Sequence, residues 1–172
     1  LKAIAGYLWQ PAGLSVGGDG NLWFRIGGAK NVPTFSIARM TPDGEITSSI
    51  GSSIPGGFDE ALGPDGRLWY LAGALGAGYV TPDGHSRAFP VSGAKTLSTA
   101  VGMEFGPDGN LWFPEFDRDR IVRMTTSGDT TRFTAGITPG AQPFDIAVGP
   151  DGNLWFTEPG VNKVGRITPA GQ

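Results

Sequence analysis

The sequence predicts an all-β chain, a β-propeller built of four blades with four antiparallel strands each. Three observations predict it. First, a ten-residue phrase recurs: GGDGNLWFRI at 17–26, GPDGRLWYLA at 63–72, GPDGNLWFPE at 106–115 and GPDGNLWFTE at 149–158. Its tryptophans, Trp23, Trp69, Trp112 and Trp155, are spaced by 46, 43 and 43 residues, a period that belongs to repeat architectures. Second, another turn phrase falls between them, reading TPDG at 41–44, TPDG at 81–84, TTSG at 125–128 and TPAG at 168–171. Third, no stretch carries a convincing helical period, although GAKTLSTAVG at 93–102 is ambiguous.

Each element of a repeat has its local reason. In both turn phrases proline presets the first corner, aspartate can bond its own backbone, and glycine takes the positive-φ position. Between the turns lie short apolar, β-branched and aromatic runs. In the third repeat these are VGMEFG, NLWFPE, RIVRMT and TTRFTA, four strands joined by short connections. A stacked β-solenoid is the alternative, but its coils are usually shorter than this repeat.

The ends predict closure. The spacing from an outer turn to the next inner one is 22, 25 and 24 residues, and 21 if the C-terminus is joined to the N-terminus. LKAIAG at 1–6 therefore reads as the outer strand missing from the last blade, making 1–172 a single propeller domain and covering an edge that would otherwise pair with other chains. In an up-and-down blade the two tight turns share one face of the ring. The longer, variable connections share the other, where propeller functions usually reside.

Composition narrows the function. The 172 residues and 39% hydrophobic content suit a packed domain. A net charge of −3 with no basic run argues against nucleic acid and anionic membrane as partners. There is no cysteine, hence no disulfide or thiolate metal site. No apolar run reaches the roughly 18 residues of a membrane span. The expectation is a soluble protein, cytoplasmic or secreted. The start at Leu1, with no signal-like segment, suggests processing or trimming.

GPDGNLWFTEPGVNKVGRITPAG at 149–171 resembles the blade of the virginiamycin B lyase (streptogramin B lyase) family, and the resemblance runs through all four repeats. It implies a propeller, and it implies a ring larger than this chain, since family members look like seven-bladed single chains. It also implies an activity: linearising a cyclic depsipeptide antibiotic by elimination, with a magnesium ion, a histidine base from a P-H-G-I context and glutamates from W-F-x-E. The glutamates match Glu115 and Glu158; the other two blades place Ile26 and Ala72 there. The histidine positions are Ala12, Phe58, Val101 and Phe144, none of which takes up a proton. The chain's one histidine, His85, follows a TPDG turn instead, on the tight-turn face and away from Glu115 and Glu158.

Other residues carry two readings each. The aligned tryptophans fit core packing between blades better than ligand platforms. Trp9 breaks the repeat and is either a contact residue or a local plug. Glu115, Asp117 and Asp119, with Glu158 one blade away, could offer oxygen ligands to a divalent cation, or Asp117 and Asp119 could pair with Arg118 and Arg120. Asp59 and Asp145 share an F-D position and either cap strand starts or line the channel. Lys163 is a further ligand-binding candidate on the loop face. There is no G-x-S-x-G and no phosphate loop.

Two functions fit these residues. The favoured one is a non-catalytic propeller, a scaffold or binding module for a small molecule or peptide, with no cofactor expected. The alternative is a magnesium-aided lyase using Glu115 and Glu158. For assembly, two copies would supply eight blades and relieve the tight geometry of a four-bladed ring, so a homodimer is expected over a closed monomer.

Overall fold

The computed structural model describes residues 11–27, 34–55, 59–71, 76–90 and 102–172. They form fifteen strands in four antiparallel sheets. The first sheet is β1 (Pro11–Val16), β2 (Leu22–Gly27), β3 (Thr34–Met40) and β4 (Ile46–Pro55). The second is β5 (Glu60–Leu62), β6 (Leu68–Leu71), β7 (Ala77–Val80) and β8 (Ser86–Phe89). The third is β9 (Glu104–Phe105), β10 (Leu111–Glu115), β11 (Arg120–Met124) and β12 (Thr130–Phe133). The fourth holds β13 (Ile146–Val148), β14 (Leu154–Glu158) and β15 (Lys163–Ile167). Strand order follows chain order in every sheet, the up-and-down blade that the repeat predicts.

The expected outer strand of the fourth blade, 1–6, lies outside the described residues, as do Trp9, Phe58, Ala72, Val101 and most of the ambiguous 93–102 stretch. The first strands of the blades stand side by side, β1 by β5, β5 by β9 and β9 by β13. Among the described residues no helix is long and apolar enough to cross a membrane.

The repeated phrase folds one way each time. The turn closes through Gly106 N to Asn110 O at 2.9 Å and Gly109 N to Gly106 O at 2.9 Å, and Gly109 takes φ +71°. Asp108 Oδ1 accepts the Asn110 backbone N–H at 3.2 Å and the indole N–H of Trp112 at 3.0 Å. The same indole bond runs from Trp23 to Asp19, Trp69 to Asp65 and Trp155 to Asp151. The turn thus satisfies a buried polar atom and fixes the ring's orientation. An arginine on the third strand completes the unit: Arg39, Arg123 and Arg166 lie over Trp23, Trp112 and Trp155 at 5.9, 5.7 and 5.8 Å and pair with the turn aspartates. In the second blade Tyr79 stands at that position, and Arg67 stacks on it at 4.3 Å.

Three of the tryptophans pack into the next blade. Trp23 clusters with Leu68, Tyr70 and Val80, Trp69 with Met103, Leu111, Phe113 and Met124, and Trp112 with Ile146, Leu154 and Phe156. These three are buried, at 3%, 0% and 0% exposure, whereas Trp155 is 40% exposed. The expectation that all four are core holds for three. Trp155 differs because its face of the last described sheet, shared with the 64% exposed Val164, has no further blade of the described residues against it.

Candidate functional site

Strand alternation sorts the chemistry between the two ends of the propeller. The tight turns share one end. The other end carries the blade-to-blade connections and the single 3-10 turns Phe116–Arg118 and Pro159–Val161. Glu115 and Glu158 close the second strands of their blades at this loop end, and Asp59, Glu60, Glu104 and Asp145 stand where the first strands begin.

Glu115 and Glu158 are both buried, at 3% and 4% exposure. Each faces a cation across the strand pair, Glu115 opposite Arg120 and Glu158 opposite Lys163. The Arg120 guanidinium is bonded to Glu115 Oε2, while Glu115 Oε1 is buried with no hydrogen bond from the described residues. Lys163 Nζ donates to Thr138 Oγ1 at 3.3 Å.

Asp119 does not pair with its neighbouring arginine. Its two oxygens accept the backbone N–H groups of Gly140 and Gln142 at 2.6 and 2.8 Å and so tie the third blade to the connection leading into the fourth. Arg120 is committed to Glu115. The expected pairing of Asp119 with Arg120 is therefore replaced by a backbone clamp, because two fixed N–H donors outcompete an arginine already neutralised. Asp117 is exposed on its 3-10 turn.

Asp59 and Asp145 each cap the start of a first strand, through Glu60 N at 3.0 Å and Ile146 N at 2.9 Å. Asp59 also reaches the next blade, accepting the Met103 N–H at 2.8 Å. Beside it lies Glu60, which sequence reasoning did not single out. Its carboxylate is 3% exposed, with Oε2 2.8 Å from Arg25 Nε of the first blade. Beyond this ion pair, neither oxygen accepts a hydrogen bond from the described residues. Burial pushes Glu60 up to about 7, against the pull of Arg25 and with a contribution from Asp59. Burial also raises Asp59 and Glu104, and Asp145 adds to the rise at Asp59. The phrase FDE at 58–60 held the only sequence signal, two adjacent acids at a strand start.

At the histidine positions, Phe144 is 37% exposed and meets Phe116 edge to face at 6.2 Å, and Ala12 lies on β1 opposite Arg25. His85 sits in the turn between β7 and β8 at the opposite end. Its side chain is 82% exposed, its Nδ1 is 3.1 Å from Asp83, and its backbone N–H donates to Thr81 Oγ1. Among the described residues no three histidine, aspartate or glutamate side chains converge in a way that could hold a metal ion. Glu115 is turned to Arg120, and Asp59, Asp119 and Asp145 to backbone donors, so this set does not fit a magnesium ion.

A sequence profile of the virginiamycin B lyase family matches residues 5–172. Virginiamycin B lyase from Staphylococcus aureus superposes with a TM-score of 0.76 at 33% identity, over 94% of this chain and 53% of that one. A catalytically inactive histidine-to-alanine variant of that enzyme, solved with quinupristin, superposes equally well. A streptogramin B lyase gives a TM-score of 0.73 at 32% identity, over 94% of this chain and 52% of that one. No curated protein sequence matches. The chain spans about half the length of these solved relatives. With a profile match over nearly its whole length, it belongs to the virginiamycin B lyase family.

Proposed function

We propose that this chain is a non-catalytic binding module of the lyase family, taking a peptide-like or small-molecule ligand at its loop end. The placement of His85 carries the reading. Ring opening by elimination needs a base within reach of the proton it removes. The sole histidine is exposed at the tight-turn end and held by its turn, while the family-type glutamates lie at the other end. The loop end offers an apolar pair, Phe116 and Phe144, beside buried carboxylates, a surface suited to contact rather than proton transfer.

One observation favours the lyase reading: Glu115 Oε1 is a buried acceptor with no hydrogen bond from the described residues. A single experiment separates the two. The chain is incubated with quinupristin and magnesium, and the products are resolved by liquid chromatography with fragmentation, because elimination opens the ring without changing its mass. Calorimetry on the same pair reads binding. Heat of binding with an intact ring supports the module. A linear product above a protein-free control overturns it.

A further inference from the structure

The dipeptide Asp-Gly occurs six times, at 19–20, 43–44, 65–66, 83–84, 108–109 and 151–152, each time in a tight turn. The backbone does not distinguish the copies. In every one the glycine has a positive φ, between +71° and +94°, and donates its N–H to the carbonyl three residues back at 2.9 or 3.0 Å. All six aspartates are exposed. They differ in what holds the carboxylate. Asp19, Asp65, Asp108 and Asp151 each accept the backbone N–H two residues on, at 3.0 to 3.2 Å, and the indole N–H of the aligned tryptophan. Asp83 accepts the Thr81 hydroxyl and lies 3.1 Å from His85 Nδ1. Asp43 accepts no hydrogen bond and makes no ion pair among the described residues. Its turn has Thr41 where the other has Thr81, but Glu45 stands where the other has His85, and a glutamate side chain brings no donor. The exposure of Asp43 does not depend on its place in the first blade. Asp83, Ser127 and Ala170 hold the same turn position with a blade before them, and all three are exposed.

An aspartate followed by glycine has an intramolecular reaction open to it. The glycine nitrogen attacks the side-chain carboxyl carbon, an N–Cγ bond forms, and the carboxyl hydroxyl leaves as water with the amide proton. Water then opens the resulting succinimide ring. Attack at the side-chain carbonyl restores aspartate. Attack at the main-chain carbonyl leaves isoaspartate, with the chain running through Cγ and no net change in composition. Glycine favours the closure because it has no Cβ to crowd the nitrogen. The step needs a protonated carboxyl that can turn onto that nitrogen. Hydrogen bonds to the carboxylate oppose both requirements, since they fix the side chain and favour its charged form. Thr81 and His85 keep Asp83 below the ordinary carboxylate range, and Asn153 and Trp155 hold Asp151 at about 2.

We propose that Asp43-Gly44, in the turn between β3 and β4, is the site of isoaspartate formation in this chain, and that the anchored carboxylates of the other five copies protect them. The product adds a methylene to the main chain inside a tight turn. The bonds that close this turn, Thr41 N to Glu45 O at 2.8 Å and Gly44 N to Thr41 O at 2.9 Å, are then lost or lengthened. The modification thus loosens the outer hairpin of the first blade and leaves the tryptophan-bearing turns intact.

The folded chain is aged at physiological temperature and neutral pH, and a second sample is aged in urea. Isomerisation leaves the mass unchanged, so the six sites are read by chromatography of peptides with fragmentation. In the folded chain, isoaspartate at position 43 is expected to exceed that at each other site several-fold. In urea the six sites should converge. A reciprocal exchange tests the cause. Glu45→His gives the first turn the five residues TPDGH that the second already folds, and it should lower isoaspartate at position 43 several-fold. His85→Glu, the reverse exchange, should raise it at position 83. Equal formation at all six sites of the folded chain, an excess at position 43 that persists in urea, or exchange variants that leave both sites unchanged would each overturn the proposal.

Discussion

Gly102 of the third blade and Asp145 of the fourth approach so closely that no side chain fits between them. A Cβ on Gly102 would lie 2.3 Å from Asp145 Oδ1, 2.8 Å from its Cα and 2.9 Å from Ile146 N. Two of these neighbours are backbone, so relief requires the fourth blade to shift. Gly102→Ala is expected to destabilise by about 1–3 kcal/mol, the usual cost of overpacking. Urea unfolding measures it, and an unchanged midpoint would mean the junction yields freely.

The four tryptophans divide by whether another blade packs on them. Trp112→Ala empties a fully buried site and is expected to cost about 3–5 kcal/mol. Trp155→Ala is expected to cost less than half as much, because its ring is 40% exposed. Equal losses by chemical denaturation would contradict this difference in burial.

Glu60 makes stability depend on pH. Its carboxyl is raised from the ordinary 4.5 to about 7 in the folded chain. Below the lower value both folded and unfolded chains hold the proton, and the group's contribution is fully present. As pH rises through this window the unfolded chain ionises first, and stability falls. The loss is on the order of 1–3 kcal/mol. The raised carboxyls of Asp59 and Glu104 act in the same direction. Asp151, which hydrogen bonds from Asn153 and Trp155 hold at about 2, changes charge far below the window. The melting temperature is therefore expected to fall between about pH 5 and pH 8, and Glu60→Gln should flatten that slope whatever it does to absolute stability.

The Glu115–Arg120 pair sets a buried carboxylate, 3% exposed, against a half-buried guanidinium, 15% exposed. Arg120→Met is expected to cost about 3–5 kcal/mol, because it strands an ionised carboxylate. Adding Glu115→Gln should recover most of the loss. A double variant as unstable as the single one would show that the arginine acts through packing and not through charge.

The propeller was legible because its signals are local. The aspartate–indole bond spans four residues, so Asp108 and Trp112 appear together in one phrase, and the turn glycines repeat with them. The segregation of His85 from Glu115 also came from counting strands. What could not be read depends on contacts between blades. Arg25 and Glu60 lie 35 positions apart in sequence, and neither residue type signals burial. Asp119 is flanked by arginines in sequence, yet its partners are backbone groups more than twenty residues on. Trp155 sits in the same phrase as its three counterparts, and its exposure reflects the neighbouring blade rather than the phrase.

The alternation of Gly13, Asp59, Gly102 and Asp145 sets a parity condition on any ring built from these blades. With an even number, every aspartate-bearing blade is followed by a glycine-bearing one, and each glycine can admit an acid of the next blade, as Gly13 admits Glu60 and Gly102 admits Asp145. With an odd number, one junction must join two blades of the same kind. Two aspartates would then crowd one seam with negative charge, or two glycines would leave a gap that no carboxylate fills. The register of a single side-chain position thus makes one seam of an odd ring, such as the seven-bladed ring the family resemblance implies, different in kind from the others, and that seam needs its own compensating residues.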